Sequence, residues 1–375
     1  MYSDVKGEKM KKKLLIFHPV IAPYRIDFFN EFSKRFDAEI CLFRRNLRSQ
    51  KFDYTKIEKQ FNFKPNYLVK DELGLFYWFV QLWKILSLRK NDAVIVSEFG
   101  IVTIIAVLHK IVTRGKYKII SMVDDSYDMV AANNQFSWKH KWATKILMPF
   151  MSNAINVEPR VVEYYQQKYG KGVYMPIIVD DERARNRLQR IMPTSQDYVK
   201  KYNLEGKKVL LFVGRLVRQK NISFAIDAFQ KANVKDSVFV VVGDGPEIGK
   251  IQGMVKGKDN VILTGRLEGD PLYAWYNIAQ VFTLPSVQEP FGAVTNEALL
   301  GGCYCLISKL AGSNCLIEEN VNGNIIDPYN ESVYINLLKS TFEKTNPITI
   351  PLKLRNNGMN DNFLVCFENM IRQFF

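Results

Sequence analysis

Glu289 and Glu297 stand eight residues apart around a Pro-Phe-Gly turn, in the run QEPFGAVTNEA. Pro290 and Gly292 suit the start of a helix extending from about Gly292 to Leu300. The amides of its first turn would then be unpaired and partly positive, as a phosphate requires. One glutamate here would be an ordinary solvated cap. Two of them, beyond the end of an apolar run closing at Leu284, mark a site. A second constellation lies upstream, where the apolar run 209–213 ends in Gly214 and Arg215 and Lys220 follow before a helix. Gly214 lets backbone approach closely, and two fixed cations at a strand end can neutralise a diphosphate.

Elements that would hold these residues are legible as short apolar runs alternating with helical stretches, the pattern of parallel sheets covered by helices. Buried strands are expected at 13–18, 38–43, 93–97 and 118–123 in the first half. In the second half they are expected at 209–213, 238–242, 261–264, 281–284, 305–307 and 324–326. Ile26, Phe29 and Phe32 share one helical face, and Asn221 is placed to cap a helix burying Ile222, Ala225, Ile226 and Phe229. The charged stretch 180–205, containing Pro193, reads as the linker and the entry to the second domain. The division is therefore 1–185 for a first Rossmann-like domain and 186–359 for a second. An amphipathic helix over 360–375 fits against either. Two such domains enclose a cleft, with ligands beyond the carboxyl ends of the strands.

Four segments together, VGRLVRQKN (213–221), VVGDGPE (241–247), VILTGRL (261–267) and PSVQEPFGAVTNEAL (285–299), closely resemble the retaining GT-B glycosyltransferases of family 4. The likeness runs from about 209 to 327. In the first half it extends only to architecture, the opening strand and the Pro-Tyr-Arg loop. It implies an α/β fold of GT-B architecture, with a nucleotide-diphosphate sugar, UDP- or GDP-linked, bound mainly to the second domain. On that likeness Arg215 and Lys220 form the diphosphate clamp, Gly214 is a further donor-binding position, and Glu297 accepts hydrogen bonds from the ribose hydroxyls. Glu289 contacts the donor sugar near the reacting carbon, with the amides of Phe291, Gly292 and Ala293 holding sugar or phosphate. Arg215, Lys220 and Glu289 are thus the catalytic candidates, and preorganised cations make a metal cofactor unnecessary for the leaving group. The implied reaction is retaining transfer to a lipid-linked or oligosaccharide acceptor, in bacterial surface polysaccharide or glycolipid synthesis.

Acceptor-side candidates follow from topology. His18 closes the first strand, Glu98 follows the third, and Asp124 and Asp125 follow the fourth, so all four would line the cleft. Asp124–Asp128 also looks like an acidic metal motif, although the resemblance implies no metal. Pro23, Tyr24 and Arg25 form the first loop. Two stretches, 73–90 with Phe76, Tyr77, Trp78, Phe79 and Trp83, and 137–150 with Trp138, Trp142, Lys139, Lys141 and Lys145, mix aromatic and basic residues. Such helices suit either the headgroup layer of an anionic membrane or the core of the first domain.

Composition narrows the alternatives. The 375 residues are 47% hydrophobic and 24% charged, which excludes a disordered chain. Five cysteines without a C-x-x-C pair argue against a disulfide scaffold or a cysteine zinc site and for a reducing compartment. The expected location is the cytoplasm or the inner face of its membrane. The basic start followed by 14–20 reads as a solvated tail and a first strand, not a cleaved leader. A net charge of +14 favours polyanionic partners. Nucleic acid is not expected among them, because the chain lacks zinc, helix-turn-helix and RNP signatures. A nucleotide-sugar epimerase shares the expected architecture, but the paired glutamates and the Gly-Arg…Lys-Asn run favour transfer.

Overall fold

The computed structural model describes residues 11–44, 52–68, 75–88, 90–132 and 136–375. The basic tail over 1–10 and the side chains of Phe76 and Tyr77 lie outside the described residues. In the first half the elements are β1 (Lys13–His18), α1 (Ile26–Arg35), β2 (Asp37–Leu42), α2 (Tyr54–Glu58), β3 (Asn66–Tyr67), α3 (Leu75–Leu88) and β4 (Ala93–Ser97). They continue with α4 (Ile101–Val112), β5 (Lys118–Val123), α5 (Tyr127–Ala132), α6 (Trp138–Leu147), β6 (Asn153–Asn156), α7 (Pro159–Tyr169) and β7 (Val173–Tyr174).

The second half opens with α8 (Asp181–Arg190), α9 (Met192–Lys201), β8 (Lys208–Val213), α10 (Ile222–Ala232), β9 (Ser237–Val242), α11 (Ile248–Val255) and β10 (Val261–Gly265). It closes with α12 (Asp270–Ile278), β11 (Val281–Leu284), α13 (Val294–Leu300), β12 (Tyr304–Ser308), β13 (Gly323–Ile326), α14 (Glu331–Glu343) and α15 (Phe363–Arg372).

Two parallel sheets result, ordered β3-β2-β1-β4-β5-β6-β7 and β10-β9-β8-β11-β12-β13. The central strands β1, β8 and β9 are nearly unbroken runs of Val, Ile, Leu and Phe, because both of their faces are buried and leave no side for polar residues. Strand order reverses between β1 and β4 in the first sheet and between β8 and β11 in the second. At such a switch point the two following loops diverge to opposite faces and leave a crevice between them. His18 and Glu98 sit at the first crevice. The Gly214 and Glu289 loops flank the second.

The stretch 180–205, expected as the linker and the entry to the second domain, is mostly helical rather than a loose connection and packs on the second half, with α8 against α12 and α13 and α9 against α12. Asp180 caps α8 by accepting from the Arg183 amide at 2.8 Å, and Pro193 enters the first turn of α9. A boundary between 185 and 186 falls inside α8. Its start is latched to the first half, since Asp27 Oδ2 accepts from the Asp180 amide and Arg183 Nη2, each at 2.8 Å. The terminal helix α15 crosses back to α1: Phe367 lies 4.9 Å from Phe32 in an edge-on contact, and Arg35 pairs with Glu368. Among the described residues no helix is long and apolar enough to cross a membrane.

Candidate functional site

A cavity of about 1010 Å³ opens between the carboxyl edges of the two sheets. Pro23, Tyr24, Phe52 and Lys56 line it from the first half. Val213–Arg215, Asp244–Pro246, 266–273, Ala293, Val294 and Glu297 line it from the second. The β8 loop is clasped by the β9 loop: the Gly214 amide donates to Val242 O at 3.0 Å, and that of Leu216 to Asp244 O at 2.9 Å. Gly243 makes this approach possible. Its φ is +153°, and a Cβ there would stand 1.9 Å from Gly214 O. The close contact expected of Gly214 is thus enforced from the other loop.

Arg215 faces the cavity, half-buried, with no ion-pair partner among the described residues. Lys220 does not line the cavity wall. It sits beside it, bonded to Glu289, and both side chains are mostly buried. Burial, and then the positive field of Arg215, push Lys220 down to about 8. Glu289 is fixed further by its backbone, which pairs with Ala311 and accepts from the Gly312 amide at 3.1 Å.

The helix expected from Gly292 begins at Val294, so Glu297 lies within its first turn. Gly292 is not helical: its φ is +95°, and a Cβ would meet Leu284 Cδ2 at 2.6 Å and Ser313 Oγ at 3.1 Å. The Phe291 ring is buried in the core, leaving its amide for a ligand. Among the described residues the amides of Phe291, Gly292 and Ala293 donate to no protein acceptor. Glu297 is held by two phenols. Tyr273 donates to Oε1 at 3.0 Å and Tyr276 to Oε2 at 2.8 Å. Burial raises the Glu297 carboxyl above its ordinary value, opposed by those two hydrogen bonds and by Arg187. Each carboxylate oxygen keeps a free lone pair for a ligand hydroxyl. Asn221 stands at the start of α10 but does not cap it. Its backbone is left-handed, and its amide donates instead to Pro328 O at 3.0 Å.

The four acceptor-side candidates come together at the carboxyl edge of the first sheet, but, against the expectation that all four line the cleft, none of them is part of the cavity wall. Asp124 pairs with Arg25, a buried residue of the first loop. Glu98 adopts φ +57°, and its carbonyl is anchored by Thr103 Oγ1 at 2.7 Å and Ser121 Oγ at 3.1 Å. Its Oε1 accepts from the Asp124 amide at 3.1 Å, while Oε2 is buried without a partner among the described residues. Burial and the charges of Asp125 and Asp124 push Glu98 well above the carboxylate range. Burial and Asp124 raise Asp125 to about 7. His18 moves the other way, down to about 4. Burial dominates, Asp124 opposes it and Arg25 adds to it.

Among the described residues, 124–128 do not form a cluster with ligand spacing, and Asp124 is paired with Arg25. The group with ligand spacing is instead Glu98, Asp125 and His140, whose donor atoms all lie within 4.8 Å of one another. Such a trio can share protons or hold a cation.

The segment that carries the second crevice has recognisable kin. Residues 194–359 match the family Glycosyl transferases group 1. This group 1 segment holds every donor-side candidate. A GDP-mannose-dependent alpha-mannosyltransferase of Corynebacterium glutamicum is 32% identical over 122 residues, 32% of this chain and 28% of the relative. A UDP-Gal:alpha-D-GlcNAc-diphosphoundecaprenol alpha-1,3-galactosyltransferase of Escherichia coli is 31% identical over 138 residues, 35% of each chain. The aligned part of the chain thus spans about a third of the length of each of these two relatives. The fold extends over both halves: the crystal structure of Anabaena HepE with UDP and glucose superposes with a TM-score of 0.70, covering 97% of each chain at 15% identity. The architecture is that of GT-B glycosyltransferase structures, two Rossmann-like domains with facing parallel sheets.

Around the group 1 segment, several residues that no motif signalled complete the site. Tyr273 and Tyr276 are one turn apart on α12, and His140 reaches Glu98 from α6. Arg187 covers the Tyr273 ring, with its guanidinium 4.1 Å from the centroid. The i, i+3 tyrosine pair was the available signal; the others depend on the fold.

Proposed function

We propose that this chain is a retaining glycosyltransferase that moves a sugar from a UDP- or GDP-linked donor to a lipid-linked or oligosaccharide acceptor, in assembly of a surface polysaccharide or glycolipid. The observation that carries the reading is the cavity wall itself: a guanidinium, Arg215, with no ion-pair partner among the described residues, on the same wall as a carboxylate held ready for hydroxyls, Glu297. A nucleoside diphosphate offers the matching anion and diol. The relatives' names, one specifying GDP-mannose and one UDP-Gal, support this donor class.

In this reading Glu297 accepts from the ribose hydroxyls, and the free amides at 291–293 meet the sugar or the distal phosphate. Arg215 and Lys220 stabilise charge growing on the diphosphate as the bond from the sugar carbon to its oxygen breaks. With two cations at the strand end, the leaving group needs no metal. Glu289 binds sugar hydroxyls, and its bond to Lys220 keeps that ammonium beside the reacting centre. The acceptor oxygen attacks from the face the diphosphate leaves, and its proton passes to the departing phosphate oxygen. His18, Glu98, Asp124 and Asp125 are the acceptor-side groups.

The test is release of UDP or GDP from a panel of nucleotide sugars, with thermal midpoints recorded for each protein. Glu297→Ala and Lys220→Ala should remove turnover and leave the midpoint near that of the native chain. Full turnover in both folded variants overturns the site. An epimerised nucleotide sugar formed without acceptor overturns transfer in favour of epimerisation.

A further inference from the structure

The helix α4 is apolar on both sides. Thr103, Ile105, Ala106, Val107 and His109 are buried, yet Ile101, Ile104, Leu108, Ile111 and Val112 form an exposed stripe opposite them. A helix on a water-facing surface carries polar residues there. Beside it, α6 presents Trp138, Trp142 and Ile146 at successive turns, with the two tryptophans 68% and 57% exposed. Lysines are interleaved: Lys139 lies 5.8 Å from the Trp138 ring centroid and Lys145 5.7 Å from that of Trp142. On the other flank α3 exposes Phe79, Val80 and Leu88. The three helices form one surface. His109 joins α4 to α3, through an edge contact with Trp83 at 4.9 Å and a hydrogen bond with Ser87 at 3.0 Å, and α4 packs on α6.

We infer that α3, α4 and α6 form a docking face for the surface of an anionic lipid bilayer, set beside the acceptor edge of the cleft. Charge identifies the occupant. None of these helices contains an Asp or Glu, and Lys84, Lys110, Arg114, Lys116, Lys139, Lys141 and Lys145 surround or interrupt the apolar stripe. Tryptophan rings with neighbouring lysines suit the headgroup layer, where apolar bodies sink and ammonium groups meet lipid phosphates. A second copy of this face would oppose like charges across a twofold interface.

Position ties the face to the cleft. Ile101 follows Glu98 by three residues. His140, in the first turn of α6, shares its cluster with Glu98 and Asp125. Both helices therefore begin at the acceptor side, where a lipid lying in the bilayer would present its head. That consequence rests on the lipid-linked acceptor proposed above, whereas the face stands on its own residues.

The experiment is cosedimentation with vesicles of phosphatidylethanolamine and phosphatidylglycerol, against vesicles of phosphatidylcholine alone. The full chain should bind the anionic vesicles, with salt releasing most of it and the inserted apolar face retaining the remainder. Lys141→Glu with Lys145→Glu should weaken that binding by at least about tenfold, at roughly 1 kcal/mol per basic residue. Leu108→Ser with Trp142→Ser should abolish the portion that resists salt. Thermal shift by UDP or GDP should be unchanged in all these variants, so loss of the face is distinguishable from loss of the donor site. Equal binding to both vesicle types, or unchanged binding in the folded variants, overturns the proposal. So does a dimer that Leu108→Ser dissociates in a chain that ignores lipid. If the apolar pair fails to fold, the exposed lysine reversals still decide.

Discussion

Tyr276, with no exposed surface, donates its hydroxyl to Glu297 Oε2 at 2.8 Å. A buried carboxylate free to rotate would lose entropy and reorganise on meeting a diol, and the phenol removes that cost beforehand. Tyr276→Phe should therefore weaken UDP or GDP binding on the order of tenfold, the worth of one hydrogen bond to a charged group. The donor KM should rise more than kcat falls, because the ribose is remote from the bond that breaks. Calorimetry with the free nucleotide checks this, and an unchanged affinity would mean that Tyr276 only fills the core.

Lys220 and Glu289 are bonded to each other at the edge of the cavity, with Arg215 nearby. If Lys220 stabilises charge only as it develops, removing it should act on the rate. Lys220→Met should lower kcat by about 10²–10³-fold, the typical loss for one preorganised donor in a dry site. Arg215→Met should lose both affinity and rate, since Arg215 faces the cavity directly. Single-turnover measurements with saturating donor separate the two. Equal losses in KM alone would assign both residues to ground-state binding.

These strand-end residues were legible because a parallel strand buried on both faces is an apolar run that stops where its loop begins. The run 209–213 falls within a residue of β8, and Gly214 and Arg215 follow at once. Short edge elements carry no such signal. Asn66–Tyr67, Asn153–Asn156 and Val173–Tyr174 are two to four residues long, and two of them begin with Asn, so none stood out from its surroundings. The segment DERARNRLQR of α8 looked like solvated linker for a different reason: its arginines are spent on Asp27, Asp270 and the cavity wall rather than on solvent alone. The Tyr276–Glu297 bond spans 21 residues and the Glu98–His140 approach 42, and no local pattern encodes either.

His18 offers a direct check on the acceptor side, because the chain has only three histidines to resolve. Its ring is held neutral, down to about 4, mainly by burial. The unfolded chain protonates this position below about 6.5, and the folded chain does not. Stability from His18 is therefore present above pH 6.5 and lost as pH falls towards 4. Of the groups facing it, Arg25 works in the same direction and Asp124 against it. A histidine NMR titration should show His18 neutral at pH 6.5 and below it, taking up its proton only as pH nears 4. His18→Gln should flatten the fall of the thermal midpoint between pH 6.5 and 4. A normal titration near 6.5 would place His18 in open solvent instead.

The clasp between the β8 and β9 loops predicts which glycine the donor site depends on. At Gly243 an added Cβ would collide with the Gly214 carbonyl at 1.9 Å, and both partners are backbone, so neither can turn aside. Gly243→Ala must part the two loops and carry Gly214 and Arg215 out of register with Glu297. At Gly249, on α11, a Cβ meets nothing within 4 Å, and Gly249→Ala gains helix propensity. Nucleotide-induced thermal shift should therefore vanish, or fall at least about tenfold in apparent affinity, for Gly243→Ala, since displacing a positioning group by about 1 Å has consequences of that order. It should persist for Gly249→Ala at an equal or higher midpoint. Circular dichroism on both separates local loss of the site from loss of the fold. Undiminished nucleotide binding in Gly243→Ala would mean that the diphosphate is held elsewhere in the cleft.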